Sequence, residues 1–461
     1  MPYRTNKKQM IMTDKTLYQF NNSQDIVHLQ TVYSLFNRVS NIIFSVTFDE
    51  GFDDSLMTNA IQLLMERNDC LRLKFVKEGK VTKQYFEAER YIGEIPSLTF
   101  RTNCQMYSFI RKFRRKAIDV RKGETMNVVF ATDPTGNKML IIKISHMVAD
   151  TYGIGILVND LYAIYQALKN RTSLPVAPGR FEDILSNDTN YRANDAAIEK
   201  DRAFFLEYYQ KRHPDRPDYC GIHGNSSDHW LKLKRKGAIS LPYFFVKCDT
   251  KGYRFVIPAA ITEKAAEWCT ANDVTMNSFF FYTCAIACSL RNDKAKYQLP
   301  LELLNCRGTV ADRKAAGTKV QSLSVYTTVD YDKTFNENIL ALAAEQNELY
   351  RHTRLTYLEI QDIEHKLWNY SMLSQITNFC FSFIPFSTPD GLHLQVYSNG
   401  KGALPAYIAL MLNVKTNKIY VNYDIQTQMC TSEQLIEFQN IYLNVIETVL
   451  KNPETRLNEI L

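Results

Sequence analysis

The stretch SHMVADTYG, from Ser145 to Gly153, organises the reading of the chain. Upstream, KMLIIKI (Lys138 to Ile144) is a short, mostly apolar run of the kind that makes a buried strand. Downstream, Ile154, Leu157, Val158, Leu161, Ile164, Tyr165 and Leu168 recur at three- and four-residue spacings, the apolar stripe of an amphipathic helix. His146 therefore sits where a strand runs out, and Asp150 falls at the N-cap, where its carboxylate can take orphan backbone N–H groups. A histidine fixed at a strand–helix junction is rigidly aimed, which suits a general base. The simpler alternative is a satisfied structural histidine at a strand end.

On either side of this stretch the chain alternates strands and helices. NIIFSVT (Asn41 to Thr47) predicts a strand and SLMTNAIQLLMERN (Ser55 to Asn68) a helix. LRLKFV (Leu71 to Val76) and KQYFEAE (Lys83 to Glu89) read as strands of a meander. MNVVFAT (Met126 to Thr132) and KMLIIKI flank DPTGN, a turn signal, and predict a hairpin. After the His146 helix, NRTSLPVAPGR (Asn170 to Arg180) is the best boundary, dividing the chain into lobes at 1–180 and 181–461. In the second lobe come a helix at DRAFFLEYYQKR (Asp201 to Arg212) and an irregular segment from His213 to Gly237. They are followed by a strand (GYRFVIP), a helix (ITEKAAEWCTAND) and a long apolar helix from Thr275 to Leu290. NKIYVNYDI (Asn417 to Ile425) and a closing helix from Ser432 to Asn452 end the series.

The 461 residues, 45% apolar and 23% charged, have the composition of a globular protein with ample core. The longest apolar run, SFFFYTCAIACSL (Ser278 to Leu290), stops short of a membrane span. MPYRTNKKQMIMTDK lacks an apolar signal core, and ten cysteines without paired spacing suit reduced thiols in the cytoplasm. The net charge of +6 carries no nucleic-acid motif. Two basic clusters, Arg111 to Lys122 and Leu231 to Gly237, read as solvated faces or as docking sites for something anionic. CGIHGNSSDHW (Cys220 to Trp230) lacks a fourth close ligand and reads as a loop, so no metal site is expected. HExxH, P-loop, GxSxG and dinucleotide fingerprints are absent from the sequence.

These landmarks, in this order, resemble the condensation domains of nonribosomal peptide synthetases and the related CoA-dependent acyltransferases. NAIQLLMERNDCLRLKF (Asn59 to Phe75) is similar to the family's early helix and LRxxF strand, and KAIDVRKGETMNVVF to its entry to the central hairpin. SHMVADTYG stands in the place of HHxxxDG, LLNCRG (Leu303 to Gly308) resembles the N-x-R segment, and KIYVNYD with the last helix and RLNEI resembles the C-terminal end. The landmarks cover roughly residues 35 to 461. The resemblance implies an α/β fold of two lobes similar to chloramphenicol acetyltransferase, forming a V with a central tunnel and the signature histidine near its middle. His146 matches the catalytic histidine, Asp150 the motif aspartate, and Arg307 the arginine that pairs with it.

Acyl transfer from a thioester needs a proton removed as the tetrahedral intermediate forms, and neutral imidazole suits that role near pH 7. A partly buried Asp150 needs a partner, for which guanidinium is the natural choice. Asp150 and Arg307 are thus expected to hold the His146 loop and tie the lobes, not to carry protons. Ser145 departs from the first signature histidine at a position that reads as architectural. Thr151 departs from the signature glycine and is expected to narrow the passage, with Gly153 restoring some room. Ser322, Ser324 and Tyr326, in QSLSVYT, fall where family members line the tunnel, although half-buried strand residues are the simpler reading.

The expectation is a free-standing, cytosolic, metal-free acyltransferase with His146 as base and no bound cofactor. Its donor is an acyl group on CoA or on the phosphopantetheine of a carrier protein met in trans, and its acceptor a small amine or alcohol. The competing expectation is a condensation-like module that recruits a partner without turnover, with a metal-dependent hydrolase a distant third.

Overall fold

The structure is a computed structural model that describes residues 15–33, 37–212, 215, 217, 220–224, 246, 248–371, 374, 376, 377 and 379–461. The basic cluster at 231–237, His213 and most of the Cys220 to Trp230 loop lie outside those residues. Two sheets carry the fold. The first has five strands in the order Leu392–Tyr397, Asn41–Phe48, Lys138–Ser145, Met126–Thr132, Ser97–Thr99. The Met126–Thr132 and Lys138–Ser145 strands form the antiparallel hairpin that the DPTGN turn predicts, with Met126 opposite Ile144.

Both faces of this sheet are covered, which is why KMLIIKI reads as a continuous apolar run. Leu140, Ile142 and Ile144 join Phe44, Val46 and Phe130 against the helices Asp54–Arg67 and Thr151–Asn170. Ile43, Val129 and Ile141 face the other way, against Met106 and Ile110 of the helix Asn103–Phe113. Lys143 shares that second face and is 1% exposed. Its Nζ donates to the carbonyls of Phe113 and Lys116, where the helix ends, and lies 4.4 Å from the Phe113 ring centre. Burial pushes this lysine down to about 8.

The second sheet has six strands in the order Val320–Ser324, Leu301–Asn305, Cys380–Phe386, Ala406–Asn413, Lys418–Gln426, Thr250–Ile257. The helix Met276–Arg291 is buried from Ser278 to Ser289 without a break, which explains its all-round apolar sequence. It packs with the helices Phe335–Leu349 and Ser432–Lys451 in a second core.

Chain order and packing part company near the expected boundary. The helix Phe181–Arg192 lies C-terminal to residue 180, yet Phe181, Ile184 and Leu185 pack in the first core. The strand Leu392–Tyr397 leaves the second half of the chain and pairs with Asn41–Phe48, setting Ile43 opposite Tyr397. Beside it, Asn399 donates to the carbonyls of Val39 and Asn41.

Candidate active site

The strand Lys138–Ser145 delivers the chain to a short turn, and every residue of the run 141–150 is buried except His146. Each flank of the histidine is pinned. Ser145 Oγ accepts the Met147 N–H, a bond that shapes the turn. The His146 N–H donates to the Ser40 carbonyl at 2.7 Å. The Met147 carbonyl accepts from Gln24 Nε2 at 2.9 Å, and Gln24 and Gln84 exchange amide hydrogen bonds in both directions. His146 is thus the one partly exposed residue of a fixed loop. Its Nδ1 is buried and unpartnered among the described residues. Burial lowers the pKa from the ordinary histidine value, and the Asp150 charge opposes that only weakly, so the ring is neutral near pH 7.

Asp150 caps the helix Thr151–Asn170 through Gly153 N–H at 2.7 Å. Its oxygens also accept the Lys319 backbone N–H at 2.7 Å and Arg307 Nη1 and Nη2 at 2.9 and 3.2 Å. Arg307 in turn spends its remaining donors on Gly317 O, Asn305 Oδ1 and Ala315 O. All five guanidinium N–H groups therefore have acceptors, and the Tyr152 ring lies 4.8 Å from the guanidinium carbon. Both residues are almost fully buried. A carboxylate with four donors around it has no capacity left to relay a proton.

Gly153 meets the second half of the chain more closely than any side chain permits. A Cβ there would stand 2.5 Å from the Gly317 carbonyl oxygen. Gly317 itself has φ +108° and lies under the Phe181 ring. Gly153→Ala is therefore expected to destabilise the protein by about 1–3 kcal/mol through overpacking, read as a lower urea midpoint, with Gly155→Ala, which meets nothing within 4 Å, as the neutral control. Thr151, by contrast, is the first residue of the helix and lies outside the positive-φ residues, so its β-branch meets no backbone strain.

Ser322, Ser324 and Tyr326 are all buried, and none hydrogen-bonds to His146. Tyr326 donates to the Asp215 carbonyl and packs against Trp368 in the second core. Among the other histidines, His352 Nδ1 pairs with Asp201 and His393 Nε2 with Asp49, both at 2.8 Å. Among the described residues, no group of three or more His, Cys, Asp or Glu side chains is placed to hold a metal ion, and no helix is long and apolar enough to cross a membrane. Sequence reasoning missed Gln24, Gln84, Gly317 and Lys319, which act wholly or partly through backbone contacts or lie far from the signature.

Residues 18–461 match the family model described as Condensation domain. A plipastatin synthase chain of Bacillus subtilis is 19% identical over 429 residues, covering 92% of this chain and 16% of that protein. Surfactin synthase subunit 1 of the same organism is 20% identical over 457 residues, covering 96% and 12%. The chain thus spans less than a fifth of either relative. Among solved structures, a mutant starter condensation domain of rhizomide synthetase RzmA in complex with C8-CoA superposes with a TM-score of 0.81 at 14% identity, covering 99% of this chain and 100% of that one. The condensation domain of the Monacolin K polyketide synthase MokA gives 0.78 at 12% identity, covering 96% and 99%.

Proposed function

The chain belongs to the condensation-domain family, and from that premise we propose that it transfers an acyl or aminoacyl group from a thioester to an amine or alcohol, with His146 as general base. The observation that supports this reading is that His146 alone among residues 141–150 is partly exposed, on a loop hydrogen-bonded on both sides of it. A base contributes only if its geometry is fixed before the substrate arrives, and a neutral ring can accept the nucleophile's proton as the carbon–oxygen or carbon–nitrogen bond forms. Asp150 and Arg307 act as positioning residues, holding the helix start and the second half of the chain against the His146 turn. The reaction runs in a passage between the lobes, and the donor is held as a CoA or carrier-bound phosphopantetheine thioester.

An acidic carrier protein fits the exposed cations Arg111, Lys112, Arg115 and Lys116, none of which pairs with a carboxylate among the described residues. In the same stretch Arg121 and Lys122 are partly neutralised by Asp119. The test is a turnover assay of the purified protein with acyl-CoA and acyl-carrier donors against a panel of amines and alcohols, with products identified by mass. Product is expected with at least one pair. Charge reversal at Lys112 and Lys116 is expected to raise KM about tenfold for the carrier-bound donor and to leave the acyl-CoA value unchanged. No product with any pair would leave the recruitment module as the better reading.

A further inference from the structure

Three buried amide side chains meet beside the turn that carries His146. Gln24, in the first turn of the helix Asn22–Tyr33, and Gln84, on the strand Val81–Phe86, are fully buried, and Asn21 is almost so. All four hydrogen-bonding positions of the Gln24 amide are in use. Its Nε2 donates to the Met147 carbonyl at 2.9 Å and to Gln84 Oε1 at 2.7 Å. Its Oε1 accepts from Gln84 Nε2 at 2.6 Å and from the Asn21 N–H at 3.1 Å. Gln84 spends its second N–H on the Gln19 carbonyl. Apolar side chains of similar shape would cost the fold little, since replacing both partners of a buried hydrogen bond is nearly neutral. What a satisfied amide network adds is a single fixed geometry.

That geometry belongs to a ring of contacts around the loop. Asn21 Nδ2 donates to the Thr318 carbonyl at 2.8 Å, and Ser23 Oγ bonds both the carbonyl and the N–H of Val320. Between those two residues, the Lys319 N–H donates to Asp150. The path therefore runs from Met147 through Gln24 and Asn21 to Thr318, on to Lys319, and back to Asp150. Both ends of the run 147–150 are tied to the same short piece of the second half of the chain, residues 317–320. Arg307, Gly317 and Lys319 hold the Asp150 end, and Gln24 holds the Met147 end. The Met147 side chain is held too, clustering with Phe20, Val27 and Phe75. His146 lies one residue from the Gln24 anchor, with its own N–H on the Ser40 carbonyl.

We propose that Gln24 is a positioning residue for His146, fixing the Met147 carbonyl and with it the direction in which the imidazole projects. Its effect on catalysis rests on the acyltransferase reading, which it extends to a residue outside the signature. Gln24 moves no proton and makes no bond in the reaction. Its partner Gln84 shares the amide pair but has no hydrogen bond to the loop. That difference separates positioning from packing. Losing the Gln84 amide leaves Gln24 anchored by Asn21 and still bonded to Met147, whereas losing the Gln24 amide frees the Met147 carbonyl itself.

Gln24→Met and Gln84→Met, each close in shape to the residue it replaces, test this as a pair. Both are expected to lower the urea midpoint by similar amounts. Gln24→Met is expected to lower kcat about 10–100-fold with KM within about twofold, since misplacing a catalytic group by ~1 Å costs up to about 10²-fold. Gln84→Met is expected to keep kcat within about threefold of wild type. A second readout needs no turnover. The Cε1–Hε1 NMR signal of His146, identified by its loss in His146→Ala, is expected to shift or split in Gln24→Met and to stay in place in Gln84→Met. The double variant Gln24→Met, Gln84→Met leaves neither member of the pair orphaned, and is expected to fold and to show the displaced signal. A His146 signal unmoved in Gln24→Met or in the double variant overturns the proposal, as do equal kcat losses in the two single variants. A displaced signal in a protein whose wild type makes no product counts against the acyltransferase alone, and leaves Gln24 as the residue that orients His146.

Discussion

His146→Ala is expected to lower kcat by about 10²–10⁴-fold, the usual contribution of a positioned general base, while the protein keeps its fold. The second half of that expectation follows from the contacts. The backbone N–H of residue 146 keeps its bond to Ser40, and the removed ring takes with it a nitrogen that had no partner among the described residues. Deleting an unpaired polar group from a buried site costs little, whereas deleting its partner would cost more. The pH profile gives an independent check. The neutral ring is the active form, and burial holds its pKa below the ordinary value. The wild-type kcat/KM should therefore rise from the acid side and level off below pH ~6.5, and the alanine variant should lose that limb. The stability sign is opposite to that of a histidine gaining an acidic partner. The folded state resists protonation, so the histidine's penalty appears as pH falls below its unfolded value of ~6.5, and the alanine variant should be the less acid-sensitive protein. Full activity in the variant would sink the base assignment.

The legible part of this site was local. His146 and Asp150 could be read because a strand, a turn and a helix succeed one another within one continuous stretch, each with its own periodicity. Arg307 lies 157 residues from Asp150, and only the resemblance pointed to it. Gly317 and Lys319 leave no trace in side-chain pattern because they work through a carbonyl, an N–H and a missing Cβ. Thr151 is the first helical residue, where a β-branched side chain meets no backbone strain. Lys143 was hidden inside an apolar strand because its charge is spent on carbonyls at the end of a helix. The strand Leu392–Tyr397 could be recognised as a strand only after its partner was known, since Asn41–Phe48 lies more than three hundred residues earlier.

Arg307→Ala should be the most destabilising single change near the site, at about 3–5 kcal/mol, the penalty for leaving a buried charge without its partner. The removed group holds more than the Asp150 oxygens. The Ala315 carbonyl loses its donor at the same stroke and the Gly317 carbonyl keeps only the Asp150 N–H, and Gly317 is the residue against which Gly153 is packed. The Lys319 N–H and the helix cap remain on Asp150, so the variant should keep the helix start and a backbone tie between the halves while losing the guanidinium bridge. Arg307→Lys cannot reproduce a planar fork with five directed donors, and should recover less than half of the loss. The double variant Asp150→Asn, Arg307→Ala removes both charges, and should be more stable than Arg307→Ala alone, giving a coupling of several kcal/mol in a double-mutant cycle. Urea midpoints measured for all four proteins decide it. Additive losses would mean that the pair is incidental, and that the strand crossing at Leu392–Tyr397 holds the two halves together without it.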